Sequence, residues 1–146
     1  MKNLGSVVLL LLALAGCKKE GTESDEYFRF RENRWKWIKA DIFDYSIDQS
    51  LNCFCVFTGK HRVKVVDDTV ISATANNGQA VENPERYFKT IDELFDYIET
   101  SLKSDPYKVE IRYDETYGYP VFVYFDFDKN VADEEMGFAI DNFVEE

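Results

Sequence analysis

The stretch TIDELFDYIETSLK, residues 90 to 103, carries the strongest local pattern in the chain. Thr90 and Glu93 have the spacing of a capping box, in which the hydroxyl and the carboxylate each accept a hydrogen bond from a backbone N–H that the first helical turn leaves unpaired. The apolar residues fall on one helical face: Ile91, Leu94, Phe95, Ile98 and Leu102. Asp105-Pro106 then ends the helical pattern. The stretch therefore predicts an amphipathic helix from residue 91 to about residue 103.

Segments on both sides of this helix alternate between apolar and polar residues, which is typical of strands with one buried face. Three of them precede the helix and three follow it: residues 44–57, 61–66, 69–75, 107–113, 121–127 and 134–143. Asp67-Asp68, between the second and third segments, suits a tight hairpin turn. The last three segments are predicted to form a three-stranded meander.

A further helix is predicted near the start of the chain, over residues 26–40. Large apolar residues recur there at helical spacing and form its apolar stripe, which Arg31 interrupts: Phe28, Trp35 and Ile38. The element order is then α-β-β-β-α-β-β-β. An antiparallel sheet of about six strands, with both helices packed on one face, buries strands of this kind. The predicted fold class is α+β, in a single domain over residues 26–146.

The composition is acidic and aromatic. The chain carries 28 acidic and 17 basic residues, a net charge of −11, together with 12 Phe and 9 Tyr residues that suit β-sheet surfaces. Nucleic-acid affinity is built from Lys and Arg on phosphates, so this balance argues against a nucleic-acid partner. Along the sequence the basic cluster is Lys18-Lys19 alone, which also argues against binding anionic lipid through a basic face.

The N-terminus has the order of a secretory signal. A basic start is followed by an apolar run and a cysteine: Lys2, Val7–Ala15 and Leu14-Ala15-Gly16-Cys17. This ending resembles the lipobox of bacterial lipoproteins, which implies a signal peptide at residues 1–16, cleavage before Cys17, and acyl chains such as palmitate on that cysteine. The apolar run is about half of the roughly 20 residues that a membrane span needs, which disfavours a retained transmembrane helix.

Lipidation of Cys17 implies a location and a partner. Residues 17–25 are then a lipidated tether, and the membrane is a partner through the anchor. The folded part is expected in the cell envelope, facing the periplasm or the exterior. The residue after Cys17 is Lys18 rather than Asp, which favours the outer membrane if sorting resembles that of enteric bacteria.

Cys53 and Cys55 are the sharpest chemical feature of the domain. With Cys17 carrying lipid, these two remain in an oxidising compartment, where pairing is the default. Two residues of extended strand span about 6.6 Å, close to the upper limit of about 6.8 Å for bridged Cα atoms, so a disulfide requires a bulge or turn at Phe54. Three interpretations stay open: a structural clip, two buried thiols, or an easily reduced bridge with a redox function.

Two groups of residues have metal-ligand chemistry. His61, the only histidine, together with Cys53 and Cys55 supplies three of the four ligands that zinc usually takes. Oxygen ligands at nearly alternate positions, as calcium prefers, occur at Asp126, Asp128, Asn130 and Asp133. Val131 and Gly137 stand where an EF-hand has Gly and Glu, so that pattern fails. The simpler alternatives are a surface histidine and an acidic turn, and no cofactor is expected.

Many aromatic rings gather around one predicted hairpin: Tyr113, Tyr117, Tyr119 and Tyr124. Exposed rings beside carboxylates form binding patches for a protein or a sugar-like ligand. The alternative is that Gly118-Tyr119-Pro120 sets the turn geometry while alternate tyrosines line the sheet. Both interpretations stay open.

A catalytic constellation is missing from the sequence. Ser-His-Asp chemistry would have to use His61, and no nucleophile motif such as G-x-S-x-G accompanies it. Carboxylates are so numerous that their presence selects none of them. The sequence therefore favours a nonenzymatic protein.

Several motifs carry a resemblance to a known family: Asp44-Tyr45, Cys53-Phe54-Cys55, Val63 to Ala73, Thr90 to Ile98, Tyr113-Asp114, Gly118-Tyr119-Pro120 and Asp126 through Asp133-Glu134-Glu135. The chain resembles small bacterial lipoproteins and secreted proteins classed only as a domain of unknown function. The resemblance covers about residues 35 to 143 and supports the fold and location, but it implies no activity.

The predicted function is that of a noncatalytic binding or scaffolding module, lipid-anchored in the envelope, for an envelope protein or a small ligand. The sheet or the Tyr-rich hairpin is the expected contact surface. The alternative is a thiol-redox or metal-handling protein that uses Cys53, Cys55 and His61.

Overall fold

A computed structural model describes residues 21–52, 59–131 and 136–146. The elements follow the order α1 Gly21–Ala40, β1 Tyr45–Asn52, β2 Gly59–Val66, β3 Thr69–Ala75, α2 Ile91–Lys103, β4 Lys108–Tyr113, β5 Pro120–Asp126 and β6 Met136–Glu145. A short 3₁₀ helix, Pro84–Arg86, leads into α2. The predicted α+β class and element order are confirmed. Within the described ranges, neither long helix is apolar enough over a sufficient length to cross a membrane.

The six strands form one antiparallel sheet in the order β3-β2-β1-β6-β5-β4. Two three-stranded meanders, one before α2 and one after it, are joined in the middle by the pairing of β1 with β6. Asp67 and Asp68 both have positive φ, 49° and 52°, as a tight two-residue hairpin turn requires. The predicted turn between β2 and β3 is therefore confirmed.

Both helices pack on the same face of this sheet, and the core lies between them. The stripe of α2 is buried as predicted: Ile91, Leu94, Phe95 and Ile98 are fully enclosed, and Leu102 is half-buried. The first strand contributes Tyr45 and Ile47, and its Tyr45 hydroxyl accepts a hydrogen bond from the backbone N–H of Ile91 at 2.8 Å. This bond ties the centre of the sheet to the start of α2.

The start of α2 has the predicted capping box. The Thr90 hydroxyl accepts from the N–H of Glu93 at 3.2 Å, and the Glu93 carboxylate accepts from the N–H of Thr90 at 2.8 Å. With the bond from Ile91 to Tyr45, three backbone donors at this end are paired. The start of α2 cannot shift relative to β1 without breaking the bond from Ile91 to Tyr45.

The helix α1 exists, but its predicted buried stripe is wrong. Phe28, Trp35 and Ile38 are 61%, 58% and 52% exposed, whereas Phe30 and Trp37 are only 2% and 3% exposed. Phe30 and Trp37 are two turns apart, so they share the face that meets the core. Two apolar stripes lie on opposite sides of α1, and helical spacing alone does not say which one is buried.

The contacts of Phe30 and Trp37 explain why their side of α1 is the buried one. Phe30 meets the ring of Phe95 in α2 edge-on, with 6.1 Å between centroids, and Trp37 meets Tyr45 edge-on at 5.6 Å. The indole N–H of Trp37 donates to the carboxylate of Asp92 at 2.9 Å. The helix also begins earlier than predicted, since residues 21–25 of the expected tether belong to it.

Candidate functional site

His61 is the described member of the proposed Cys-Cys-His group. It lies in β2 opposite Gln49 and is buried, so the surface-histidine interpretation is wrong. Its ring lies 4.9 Å from the ring of Phe88, and its Nδ1 is 3.2 Å from the carbonyl oxygen of Gly59. Cys53 and Cys55 lie outside the described residues, as does Cys17. The disulfide and zinc hypotheses therefore stay predictions.

The acidic stretch after β5 forms a hydrogen-bonded turn. One carboxylate oxygen of Asp128 accepts from both the backbone N–H and the side-chain amide of Asn130, each at 2.9 Å. The N–H of Val131 donates to the carbonyl of Asp128 at 3.0 Å. Asp126 ends β5, and Asp133 lies outside the described residues. The side chains hold the backbone, as the acidic-turn interpretation requires.

No group of three or more His, Cys, Asp or Glu residues is placed to hold a metal ion within the parts of the chain that the structure describes.

Three of the four candidate tyrosines contact the core. Tyr119 is buried and stacks on Phe143 at 4.9 Å between centroids, and Tyr117 approaches the same ring at 5.7 Å. Tyr113 is half-buried and stacks on Phe95 at 6.3 Å. Burial raises the pKa of its hydroxyl well above the ordinary value for tyrosine. These positions favour the interpretation in which the tyrosines line the sheet and its turn.

Tyr124 lies on the other side of the sheet, which carries neither helix. We call this side the uncovered face. Half of it bears linked charges: Lys60 pairs with Asp141 at 2.8 Å, and Arg62 pairs with Asp48 at 3.2 Å. Burial works to raise the pKa of Asp48, but hydrogen bonds from Asn142 and Arg62 outweigh it and lower that pKa. The charged side chains of this half of the face are therefore paired with one another.

The other half of the uncovered face carries an aromatic row, which consists of Lys108, Arg112, Phe122 and Tyr124. The Arg112 guanidinium lies 4.5 Å above the centre of the Phe122 ring, and the Lys108 ammonium lies 5.4 Å from that of Tyr124. Both rings are half-buried, and their partners in β6 are the small residues Ala139 and Gly137. The row thus presents two cations that lie over half-buried rings on the sheet, and Arg112 is also 3.8 Å from the carboxylate of Glu110.

The outer stripe of α1 is the second exposed apolar feature. It consists of Phe28, Arg31, Trp35, Ile38 and Lys39. A shallow groove of about 460 Å³ runs beside the first four of these residues, and Glu32 and Arg34 also line it. The Lys39 ammonium lies 5.1 Å from the centre of the Trp35 ring. The sequence signal for this stripe was present, since its spacing is the one interpreted as a buried face.

A comparison with family models matches residues 29–145 to a family of unknown function, DUF6174. The chain is a member of DUF6174. The DUF6174 match runs from within α1 to the last residue of β6, and so it covers the whole sheet, all of α2 and the larger part of α1. No curated protein and no solved structure matches the chain. Membership in DUF6174 implies no activity.

Proposed function

We propose that this DUF6174 protein is a lipid-anchored protein of the bacterial cell envelope, and that it binds a partner noncatalytically through the uncovered face of its sheet. The observation that carries the proposal is the motif Leu14-Ala15-Gly16-Cys17, which follows an apolar run and a basic start. Helix α1 already includes Gly21, which is only four residues after the proposed lipidation site.

Acylation at residue 17 gives a firm attachment. One acyl chain binds a membrane only marginally, and each buried methylene contributes about 0.8 kcal/mol, so several chains on one cysteine anchor stably. Four residues of chain span at most about 14 Å. The anchor therefore holds the domain close to the bilayer.

The aromatic row supports a binding role for the sheet. Aromatic residues and Arg are enriched in interfaces between proteins. Aromatic rings bury a large area and have few rotatable bonds to fix. Phe122 and Tyr124 are already fixed between neighbouring strands and beneath Arg112 and Lys108. A partner with an acidic or aromatic surface complements this row.

Mass spectrometry of the protein isolated from its native membrane tests the anchor. The expected product begins at Cys17 and carries acyl mass, and the Cys17→Ser variant loses both the cleavage and the added mass. An intact N-terminus, or an unmodified Cys17, would overturn the proposal.

Site-specific photo-crosslinking in the native cells tests the binding surface. A photoreactive side chain replaces Phe122 in the aromatic row, and in a control protein it replaces Tyr107, which is exposed just before β4. A discrete adduct is expected at position 122 but not at position 107. Equal adducts at both positions, or none at position 122, count against the uncovered face as the contact surface.

The competing proposal is a thiol-redox or metal-handling role for Cys53, Cys55 and His61. The ring of His61 is buried against Phe88, and both cysteines lie outside the described residues, so this proposal rests on the sequence alone. A free-thiol count with and without reductant decides the state of the cysteine pair. Replacing both cysteines with Ser should leave a folded binding module functional, whereas loss of function in a folded variant supports the rival.

A further inference from the structure

We infer that the outer stripe of α1 lies on the surface of an anionic lipid bilayer, so that the first helix is a membrane-contacting element. The inference rests on the proposed lipid anchor at Cys17, and it adds a second contact between the domain and the same membrane. Its occupant is the lipid headgroup region, and the contacting residues are Phe28, Arg31, Trp35, Ile38 and Lys39.

The exposed side chains have the chemistry of the membrane interface. Trp35 and Phe28 are more than half exposed, and Ile38 continues the same stripe one turn further. Aromatic rings and aliphatic side chains on one helical face, with Lys or Arg among them, are the pattern of helices that lie in the interfacial plane. The cations of the stripe, Arg31 and Lys39, suit the phosphate level.

The basic residues of α1 lie in its last fourteen positions, although the whole helix carries five basic and four acidic residues, a net charge of +1. Residues 27–40 contain five basic residues and one acidic residue, a net charge of +4, whereas the whole chain carries −11. Arg29 pairs with Glu26, and Arg34 pairs with carboxylates of α2. In the described part of the chain, the cations of the stripe have no such ion pair and are available to lipid phosphates.

The position of these basic residues changes the expectation, drawn from the linear sequence, that the protein has no basic face for anionic lipid. The basic residues of α1 are separated by other residues, so they do not form a cluster in the linear sequence. Helical geometry brings positions 31, 35, 38 and 39 onto one face. Charge complementarity with anionic lipid is therefore present after all, at a place where apolar side chains are also exposed.

The position of the proposed lipid anchor favours the membrane as the surface that covers the stripe. The chain from Cys17 to Gly21 reaches at most about 14 Å, and Phe28 lies about 10 Å further along the helix at 1.5 Å per residue. The stripe is thus within reach of the bilayer that holds the acyl chains. A second copy of the chain is a poorer occupant, because a two-fold contact repeats the same basic patch on both sides.

Docking of the stripe also orients the sheet. The stripe and the buried pair Phe30 and Trp37 lie on opposite sides of α1, and the sheet lies beyond that buried pair. The uncovered face therefore points away from the bilayer when α1 lies on it. The aromatic row is then presented to partners in solution.

The fluorescence of the two tryptophans tests whether the stripe contacts the bilayer. The acylated protein is reconstituted into vesicles of phosphatidylethanolamine and phosphatidylglycerol that contain a lipid with brominated acyl chains, which quench indole emission on contact. Trp35 lies on the stripe, and Trp37 is buried within the protein. Quenching and a blue shift are expected for the native protein, whereas the Trp35→Phe variant, which retains only Trp37, keeps its emission.

Matched substitutions test the side chains of the stripe. Phe28→Ser with Ile38→Ser should abolish the quenching of Trp35, and the control pair Ile71→Ser with Val144→Ser should preserve it, since Ile71 and Val144 are 53% and 49% exposed and lie away from α1. Arg31→Glu with Lys39→Glu should weaken docking on phosphatidylglycerol by at least about fivefold for each basic charge lost.

The possible outcomes separate the two proposals. Acyl mass without quenching of Trp35 overturns the membrane contact and leaves the anchor standing. Missing acyl mass overturns the anchor. In that case the unacylated chain is mixed with the same vesicles, and quenching of Trp35 then shows whether the stripe contacts the bilayer. A blue shift that appears without lipid and disappears on dilution identifies a second copy as the occupant and overturns the inference.

Discussion

The side-chain amide of Gln49 pairs with both backbone groups of Lys89. Its Nε2 donates to the Lys89 carbonyl oxygen at 2.9 Å, and its Oε1 accepts from the Lys89 N–H at 3.0 Å. Gln49 is fully buried on the helix-covered side of β1. One side chain thus provides the two hydrogen bonds that a neighbouring strand would otherwise provide, and it fixes the chain just before Thr90 starts α2.

Removing the side-chain amide of Gln49 should lower the free energy of unfolding. In Gln49→Ala both backbone groups of Lys89 lose their partner, and an unsatisfied buried group costs about 1–3 kcal/mol, so the free energy of unfolding should fall by about 3 kcal/mol. The free energy of unfolding is measured by urea titration, with circular dichroism as the signal. The control Ser50→Ala changes the next residue, on the uncovered face, and should stay within about 0.5 kcal/mol. Equal stability of the two variants contradicts the role assigned to Gln49.

The capping box of α2 gives a second prediction. Thr90→Ala removes the oxygen that accepts from the N–H of Glu93, and loss of an N-cap side chain costs about 0.5–2 kcal/mol. Thr90→Ser keeps that oxygen and should recover most of the loss. The control Thr100→Ala removes a hydroxyl of the same helix that only donates to the carbonyl of Asp96 at an exposed position. Thermal unfolding that ranks Thr100→Ala as the more damaging change would refute the assignment.

Asp68 makes stability depend on pH. Partial desolvation raises its pKa, and the nearby carboxylates of Asp92 and Glu93 act in the same direction. The folded state then binds the proton more tightly than the unfolded state, so this residue lowers stability as the pH rises from its ordinary pKa through its raised folded-state pKa. At neutral pH the ionised carboxylate is destabilising.

Asp68→Asn should therefore raise the melting temperature at pH 7. Asn also tolerates the left-handed backbone of Asp68, whose φ is 52°. Any effect of Asn on the turn itself is independent of pH, so the informative quantity is the difference between the two melting curves across pH. That difference should shrink as the pH falls below the folded-state pKa of Asp68. A constant difference from pH 3 to pH 7 rules out the charge effect.

Sequence periodicity predicted the elements that have only one apolar face. Strands with one apolar face and α2 with one apolar stripe were identified, because burying the other face would enclose charged residues. Helix α1 was misinterpreted because it has two apolar stripes, and only contacts with Phe95 and Tyr45 select Phe30 and Trp37. Gln49 gave no signal at all, since the backbone that it binds is 40 residues away.

The candidate site was harder to predict than the fold. The tyrosines were grouped because they are close in sequence, but strand alternation puts Tyr124 on the uncovered face and Tyr113 against Phe95. The aromatic row depends on cross-strand neighbours in β4 and β5, and these follow from the register. Register is set by the turn and the bulge near Tyr113, which sequence periodicity does not resolve.

Gly118 and Gly78 form a matched pair for testing how α1 is held on the sheet. Both have a positive φ, 79° and 84°. A Cβ atom at Gly118 would lie 2.5 Å from the carbonyl oxygen of Asn33 and 2.8 Å from the Cβ of Lys36, both in α1, whereas a Cβ at Gly78 meets nothing within 4 Å. The turn between β4 and β5 therefore touches the helix backbone, and only glycine leaves room for that contact.

Gly78→Ala should cost only the left-handed strain, about 1 kcal/mol. Gly118→Ala adds overpacking against α1, which costs about 1–3 kcal/mol more. In a Trp35→Phe background, Gly118→Ala should also shift the emission of Trp37 to longer wavelength, because displacement of α1 hydrates that ring, and Gly78→Ala should leave it unchanged. If the two alanine variants were equally stable and had the same Trp37 emission, the turn would not be holding α1 in place.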